Sequence, residues 1–130
     1  MAKTFLKVER SFDSAHFLNK YKGKCSNMHG HTWKTIFKFE VLDLKPNGIS
    51  EDFSDIKKMI DSVLPDHKLL NEVYPTFNPT AEKLCYLLYR DFQNKDLFGK
   101  KLPNLFLVSV EVFETPTNSA TYEALINDRL

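Results

Sequence analysis

Leu6, Val8, Phe12 and His16 fall on one parity of the first sixteen residues, and Lys7, Glu9 and Asp13 fall on the other. That two-residue period predicts a strand over residues 5–16 with one face buried. Residues 31–42 repeat the pattern more clearly. Trp33, Thr35, Phe37, Phe39 and Val41 alternate there with Thr32, Lys34, Ile36, Lys38 and Glu40. Pro46-Asn47-Gly48 is turn chemistry, and residues 49–53 are expected to return as a short strand that closes a hairpin. The period then changes. Phe53, Ile56, Met59, Ile60, Val63 and Leu64 recur at helical spacing, with Asp52 placed to cap the N-terminus and Pro65 to end the helix. A second helix is expected from Asn78-Pro79-Thr80, with an apolar stripe of Ala81, Leu84, Cys85, Leu88 and Phe92. Residues 105–114 read as a last strand, apolar except for Ser109, Glu111 and Glu114. Strands and helices are segregated along the chain. This predicts one α+β domain over residues 1–130, an antiparallel sheet with two helices on one face.

Composition narrows the function classes. Apolar residues make up 42% of the 130 positions, enough for a packed core. A formal charge of +1 offers no bulk electrostatic reason to expect nucleic acid or a membrane surface as partner. No apolar run approaches the ~20 residues that span a bilayer. The N-terminus runs directly into a strand pattern with no sign of a secretory leader. Two cysteines sixty residues apart, Cys25 and Cys85, do not make a disulfide framework, and a reducing cytoplasm is the expected setting. Cys85 lies on the helical apolar stripe and reads as a small buried hydrophobe.

The chain has four histidines: His16, His29, His31 and His67. In a strand, His29 and His31 point to the same face, so His-Gly-His can chelate one ion, and Gly30 permits close backbone approach. Two histidines on a strand can equally be solvent-facing or hydrogen-bonded. His16 ends the first strand on its apolar parity and can supply a third imidazole. Three imidazoles leave one tetrahedral position of a zinc ion open, the pattern of a catalytic rather than a structural site.

Three further positions carry candidate chemistry. Cys25 sits four residues before His29 in a loop with Lys20, Lys22 and Lys24. Positive charge and a metal favour a thiolate there, whereas without them it is an ordinary loop cysteine. Asp66-His67 follows Pro65. The aspartate can orient the imidazole, or His67 can serve the dipole of the preceding helix. Glu114 continues an apolar parity, where a carboxylate needs a partner unless the strand has already reached water. Such a group can accept two hydrogen bonds from a guanidine-like ring edge.

Six segments, in this order, carry a family resemblance: Phe12-Asp13-Ser14-Ala15-His16, Cys25-Ser26-Asn27-Met28-His29-Gly30-His31, Asp52-Phe53-Ser54-Asp55-Ile56-Lys57, Asp66-His67-Lys68-Leu69-Leu70-Asn71, Asn78-Pro79-Thr80-Ala81-Glu82 and Glu111-Val112-Phe113-Glu114-Thr115. Together the chain resembles the 6-pyruvoyl-tetrahydropterin synthase superfamily, and within it the bacterial 6-carboxy-tetrahydropterin synthases of queuosine biosynthesis. Three residues separate Cys25 from His29, as in that branch; the animal-type enzymes have a longer gap, and the dihydroneopterin aldolase-type branch has Glu in place of the cysteine. The segment Thr115-Pro116-Thr117-Asn118-Ser119-Ala120 departs from the family's usual cysteine-containing stretch.

The resemblance implies zinc held by His16, His29 and His31, Cys25 as the catalytic cysteine, Asp66 and His67 as a relay pair, and Glu114 as the anchor of the pterin ring. It implies a tunnelling fold, a four-stranded antiparallel sheet with two helices, assembled as a homohexamer of two stacked trimers with active sites between subunits. The implied reaction converts 7,8-dihydroneopterin triphosphate to 6-carboxy-5,6,7,8-tetrahydropterin with loss of acetaldehyde and triphosphate. The rival outcomes are the same elimination stopping at 6-pyruvoyl-tetrahydropterin, and a zinc- or pterin-binding module without catalysis.

Overall fold

The computed structural model describes residues 2–19, 23 and 26–125. The two alternating segments form strands β1 (Phe5–His16) and β2 (His29–Val41), paired antiparallel from Phe5 opposite Glu40 to His16 opposite His29. Strand β2 begins two residues earlier than its alternation predicts and includes both histidines of His-Gly-His. After β2 come helix α1 (Phe53–Val63), a two-residue strand β3 (Lys68–Leu69), a single helical turn α2 (Leu70–Val73), helix α3 (Ala81–Lys95), and strands β4 (Leu105–Thr115) and β5 (Asn118–Glu123). The sheet order is β3-β1-β2-β4-β5. All neighbours are antiparallel except β3, which lies parallel to β1.

The α+β class stands, but the expected four-stranded sheet with two helices is a five-stranded sheet with three helices. The short strand expected at residues 49–53 does not form. Strand β2 is already flanked by β1 and β4, so it has no free edge to pair with a returning segment. The turn at residues 46–48 forms, with Gly48 at φ 84° and its N–H donating to Lys45. The chain beyond it is held by Asn104 instead of a ladder. The Asn104 N–H donates to the Glu51 carboxylate at 3.0 Å, and its side-chain amide donates to the Ser50 carbonyl at 3.1 Å. Strand β5 was not expected, because Asn118, Ser119 and Thr121 resemble a loop. Its apolar content is Ala120 and Tyr122, both half-buried and packed against the core.

The helices form where the spacing places them. Asp52 caps α1 by accepting from the Ser54 N–H at 2.7 Å, and Leu64 is extended ahead of Pro65. Thr80 caps α3 by accepting from the Lys83 N–H at 3.1 Å, so Pro79 stands just before the cap. Ile56 and Ile60 of α1, with Leu84, Leu87, Leu88 and Phe92 of α3, are buried against Val8, Phe12, Trp33, Phe37 and Phe39 of the sheet. Phe37 and Phe39 bring their rings to 5.6 and 5.5 Å from that of Phe92. Each such side chain contributes about 1.5–3 kcal/mol by leaving water. Cys85 is buried on this helix, as its position on the stripe suggests. Phe53, although on the apolar spacing of α1, is exposed. No described helix is long and apolar enough to cross a membrane.

Two irregularities in β4 set the site. Its register on β2 slips between Lys38 and Phe39, where Leu107 follows Ser109 as partner and Val108 is passed over. Leu105 and Leu107 are therefore buried below the slip, while Val110 and Val112 are buried above it. Phe106 and Val108 do not share the buried face with Val110, as unbroken alternation requires. A second slip against β5 passes over Glu114, between Phe113 and Thr115. Bulges of this kind bend a strand and re-aim the extra side chain.

Beyond His16 the chain leaves the sheet and is held by two asparagine side chains. Asn71 accepts from the Phe17 N–H and donates to the Phe17 carbonyl, both at 3.0 Å. Asn78 does the same for Asn19, at 2.9 and 3.2 Å. Each amide thus replaces a neighbouring strand. Asn71→Ala is expected to lower stability by about 1–3 kcal/mol, because two partly buried backbone groups lose their partner; urea denaturation followed by tryptophan fluorescence measures it.

Candidate active site

The register of β1 on β2 sets His16 directly opposite His29 and Ser14 opposite His31. All three imidazoles therefore fall on the face that carries Phe12 and Trp33. Their ring centroids lie 4.6 Å (His16 to His29), 5.2 Å (His16 to His31) and 4.8 Å (His29 to His31) apart. Trp33 forms the apolar floor, with its ring centroid 5.0 Å from that of His16 and 5.1 Å from that of His31. The indole itself is fixed by donating to the Ser14 carbonyl at 3.2 Å. Glu114 closes the group from the bulge in β4, with Oε1 at 3.2 Å from His31 Nε2 and 3.8 Å from His16 Nε2. One ligand atom from each of the four residues lies within 4.8 Å of all the others.

The hydrogen bonds decide the tautomers of two of these rings. His16 Nδ1 is 2.8 Å from the Pro79 carbonyl, and His29 Nδ1 is 2.7 Å from the Asn27 carbonyl. A carbonyl can only accept, so both Nδ1 atoms carry the proton. In the neutral rings both Nε2 atoms then present lone pairs, and they face one another at 3.0 Å. Two such lone pairs repel unless a proton or a metal ion lies between them. His31 Nε2 is buried and has no hydrogen-bond partner.

A zinc ion with bonds of 2.0–2.1 Å in a tetrahedron separates its nitrogen ligands by about 3.3 Å. The donor set, its spacing and the carbonyl-fixed Nδ1–H groups match the arrangement in which second-sphere acceptors orient metal-bound histidines. Charge state agrees as well. Burial is the largest influence on His16 and lowers its pKa, outweighing the Pro79 hydrogen bond; the neighbouring imidazoles lower it further, against the pull of Glu114. Burial also lowers the pKa of His31, against the opposing charge of Glu114. Both rings are thereby held neutral, the form a metal requires.

The other predicted residues divide. Asp66 and His67 are adjacent in space, with His67 Nδ1 2.9 Å from Asp66 Oδ2, and His67 lies beyond the last turn of α1. The aspartate partner is therefore the observed one. The Asp13 N–H donates to Asp66 Oδ1 at 2.9 Å, and the His67 N–H donates to the Asp13 carbonyl at 2.6 Å. The first of these bonds, followed by that of His67, holds the Asp66 carboxyl below its ordinary pKa and hence ionised. His67 adopts φ 55°, a left-handed conformation, and its side chain is exposed. A cavity of about 550 Å³ is lined by His67 together with Asp13, Gly30, His31 and Thr32, and His31 is the residue of the cage that borders it. Cys25, Lys20, Lys22 and Lys24 lie outside the described residues.

Some parts of the site escaped sequence reasoning. The carbonyls of Pro79 and Asn27 carry no side-chain signal. Asp13 acts mainly through its backbone. Glu114 was expected to engage the edge of a ring, and its Oε1 is found at the cage itself.

Comparison with known proteins identifies the family. Residues 5–125 match the family model described as 6-pyruvoyl tetrahydropterin synthase. The 6-carboxy-5,6,7,8-tetrahydropterin synthase of Haemophilus influenzae is 30% identical over 137 residues, spanning 88% of this chain and 95% of that protein. The protein of the same name from a Synechocystis species is 31% identical over 121 residues, covering 88% of each. Among solved structures, the 6-pyruvoyl tetrahydropterin synthase of Caenorhabditis elegans superimposes with a TM-score of 0.79 at 26% identity, over 96% of this chain and 98% of that one. With its sheet, its helices and its histidine cage in this order, the chain belongs to the 6-pyruvoyl tetrahydropterin synthase family.

Proposed function

We propose that the protein is a zinc-dependent 6-carboxy-5,6,7,8-tetrahydropterin synthase acting on 7,8-dihydroneopterin triphosphate, with loss of acetaldehyde and triphosphate. The observation that carries the reading is the convergence of His16 Nε2 and His29 Nε2, 3.0 Å apart, with His31 Nε2, which makes no hydrogen bond, and the Glu114 carboxylate beside them. That geometry asks for a cation. The names of the bacterial relatives supply the product, a 6-carboxy-tetrahydropterin, and the resemblance of the sequence motifs adds the triphosphate substrate and a place in queuosine biosynthesis.

In this reading His16, His29 and His31 hold zinc, which when bound supplies Lewis-acid polarisation of the substrate's side-chain oxygens. Cys25, as a thiolate, takes protons from the substrate side chain on one side. His67 carries protons on the other, kept in one tautomer by the ionised Asp66. Glu114 faces a cavity of about 570 Å³ and receives the hydrogen-bonding edge of the pterin ring. The assembly is proposed to be a homohexamer of two trimers, built from single domains of residues 1–130. A product that stops at 6-pyruvoyl-tetrahydropterin is the second reading, favoured by the name of the C. elegans structure. A binding module without catalysis leaves the Asp66–His67 pair without a use.

Three outcomes are expected. Purified protein holds about one zinc per chain by plasma mass spectrometry, and His31→Ala lowers metal affinity by more than the about 10–100-fold typical of outer-sphere changes; protein without metal, unaffected by chelators, overturns the assignment. Mass spectrometry of the turnover mixture shows 6-carboxy-tetrahydropterin, and Cys25→Ala slows its formation by about 10²–10⁴-fold. A pyruvoyl product alone decides for the second reading, and unchanged turnover removes Cys25 as the base. Glu114→Gln raises KM by about tenfold or more while zinc stays bound, since one lost pairing with a ring edge costs a few kcal/mol. Loss of zinc in that variant makes Glu114 a ligand instead.

A further inference from the structure

The acceptors of the two Nδ1–H groups reach the cage by different routes. That of His29 is local, the carbonyl of Asn27 at a separation of 2 residues. That of His16 is the carbonyl of Pro79, at a separation of 63 residues, so its place depends on how two distant segments are joined.

Asn78-Pro79-Thr80 makes that join with separate attachments on either side of the proline. Asn78 closes a pair of hydrogen bonds on the Asn19 backbone, at 2.9 and 3.2 Å, shortly beyond His16. Thr80 caps α3, accepting from the Lys83 N–H at 3.1 Å. Between them Pro79 is buried, and the Thr80 N–H donates to the Asn78 carbonyl at 2.8 Å, closing a tight turn around the proline. A proline suits this place, because its ring fixes φ and it has no N–H to leave without a partner when buried. The Pro79 carbonyl is therefore held by the helix cap after it and by the Asn78 bridge before it. It accepts from His16 Nδ1 at 2.8 Å.

Asn71 offers a comparison within the same molecule. It makes the same kind of bridge to Phe17, both bonds at 3.0 Å. Among the described residues, however, the carbonyls that hold imidazoles are those of Pro79 and Asn27, and neither adjoins Asn71. The two asparagines thus do equal work for the backbone after His16, and only Asn78 is also coupled to the ring of His16.

We propose that Asn78 is a positioning residue for the metal: through the Pro79 carbonyl it fixes the His16 ring and so aims Nε2 into the cage. An acceptor on the far nitrogen of a metal-bound histidine sets both the direction and the basicity of the ligand. The inference rests on the zinc reading above and adds a side chain whose own hydrogen bonds go to the Asn19 backbone rather than to an imidazole.

The test compares Asn78→Ala with Asn71→Ala on zinc-loaded and cobalt-substituted protein. Zinc affinity is read by competition with a chromogenic chelator, and the visible spectrum of cobalt reads coordination geometry. Both variants are expected to unfold at similarly lowered urea concentrations, since each loses the same pair of hydrogen bonds. Asn78→Ala should weaken zinc binding by about 10–100-fold and alter the cobalt spectrum, while Asn71→Ala stays within about threefold of the parent with an unchanged spectrum. Asn78→Ser, which keeps a shorter hydrogen-bonding group, should fall between parent and Asn78→Ala, and it carries the test if the alanine variant does not fold. Parent-like affinity and spectrum in the Asn78 variants overturn the proposal, because α3 alone then places the carbonyl. Equal losses in Asn78→Ala and Asn71→Ala also overturn it, by making the exit of β1 as a whole responsible. A parent protein that binds neither metal removes the zinc reading and this inference with it. A parent that binds both, with Asn78 variants that match it, removes only the role of Asn78.

Discussion

Shifting β1 by one residue along β2 would turn His16 to the opposite face of the sheet and bring Ala15 opposite His29. The pairing of His16 with His29 is therefore the constraint on which the site depends. It is held along the whole length of the two strands, because Val8 and Phe12 on β1 and Trp33 and Phe37 on β2 are buried only in this register. The hydrophobic core and the histidine cage thus use the same parity. Trp33 joins them: one side packs with Phe12, at 6.2 Å between stacked rings, and the edges of His16 and His31 rest on it.

Around this pairing the protein supplies polar groups that keep the imidazoles aimed inward. Pro79, next to the N-cap of α3, and Asn27, just ahead of β2, each offer a carbonyl to an Nδ1–H. Burial then lowers the affinity of His16 and His31 for a proton. Convergent lone pairs in a poorly hydrated place are unfavourable without a cation, and the surrounding core keeps them converged. The cost of this arrangement is local, while the strands and helices that impose it are stabilised along their full lengths.

The remaining groups reach the site from segments distant in sequence. Asn71 and Asn78 hold the chain just after His16, and the backbone of Asp13 holds the turn that carries Asp66 and His67. Ser14 contributes to the same turn: its hydroxyl donates to the Pro65 carbonyl and accepts from the Lys68 N–H, on either side of the Asp66–His67 pair. Residues 13–16 therefore serve the Asp66–His67 pair with two positions and the cage with a third. Glu114 is added by a bulge, which brings a carboxylate to the end of a mostly apolar strand.

Periodicity alone determined β1, β2, β4 and both long helices, because each buries one face or stripe over many residues and its pattern is local. The caps at Asp52 and Thr80 were legible or nearly so, since a cap depends on three or four neighbouring residues. The three histidines of the cage were legible as one parity on two strands. Tertiary structure decided the rest. The expected strand at residues 49–53 failed because β2 had already given both its edges to β1 and β4. Strand β5 formed from a polar segment because β4 offered it an edge. The bulges that moved Phe106 and Val108 out of line and delivered Glu114 exist only between paired strands. The tautomers of His16 and His29 depend on carbonyls, which every residue has, so no side-chain pattern could announce them. What the chain spells out is which residues share a face; which faces meet, and at what distance, depends on edges and backbone groups that acquire partners only on folding.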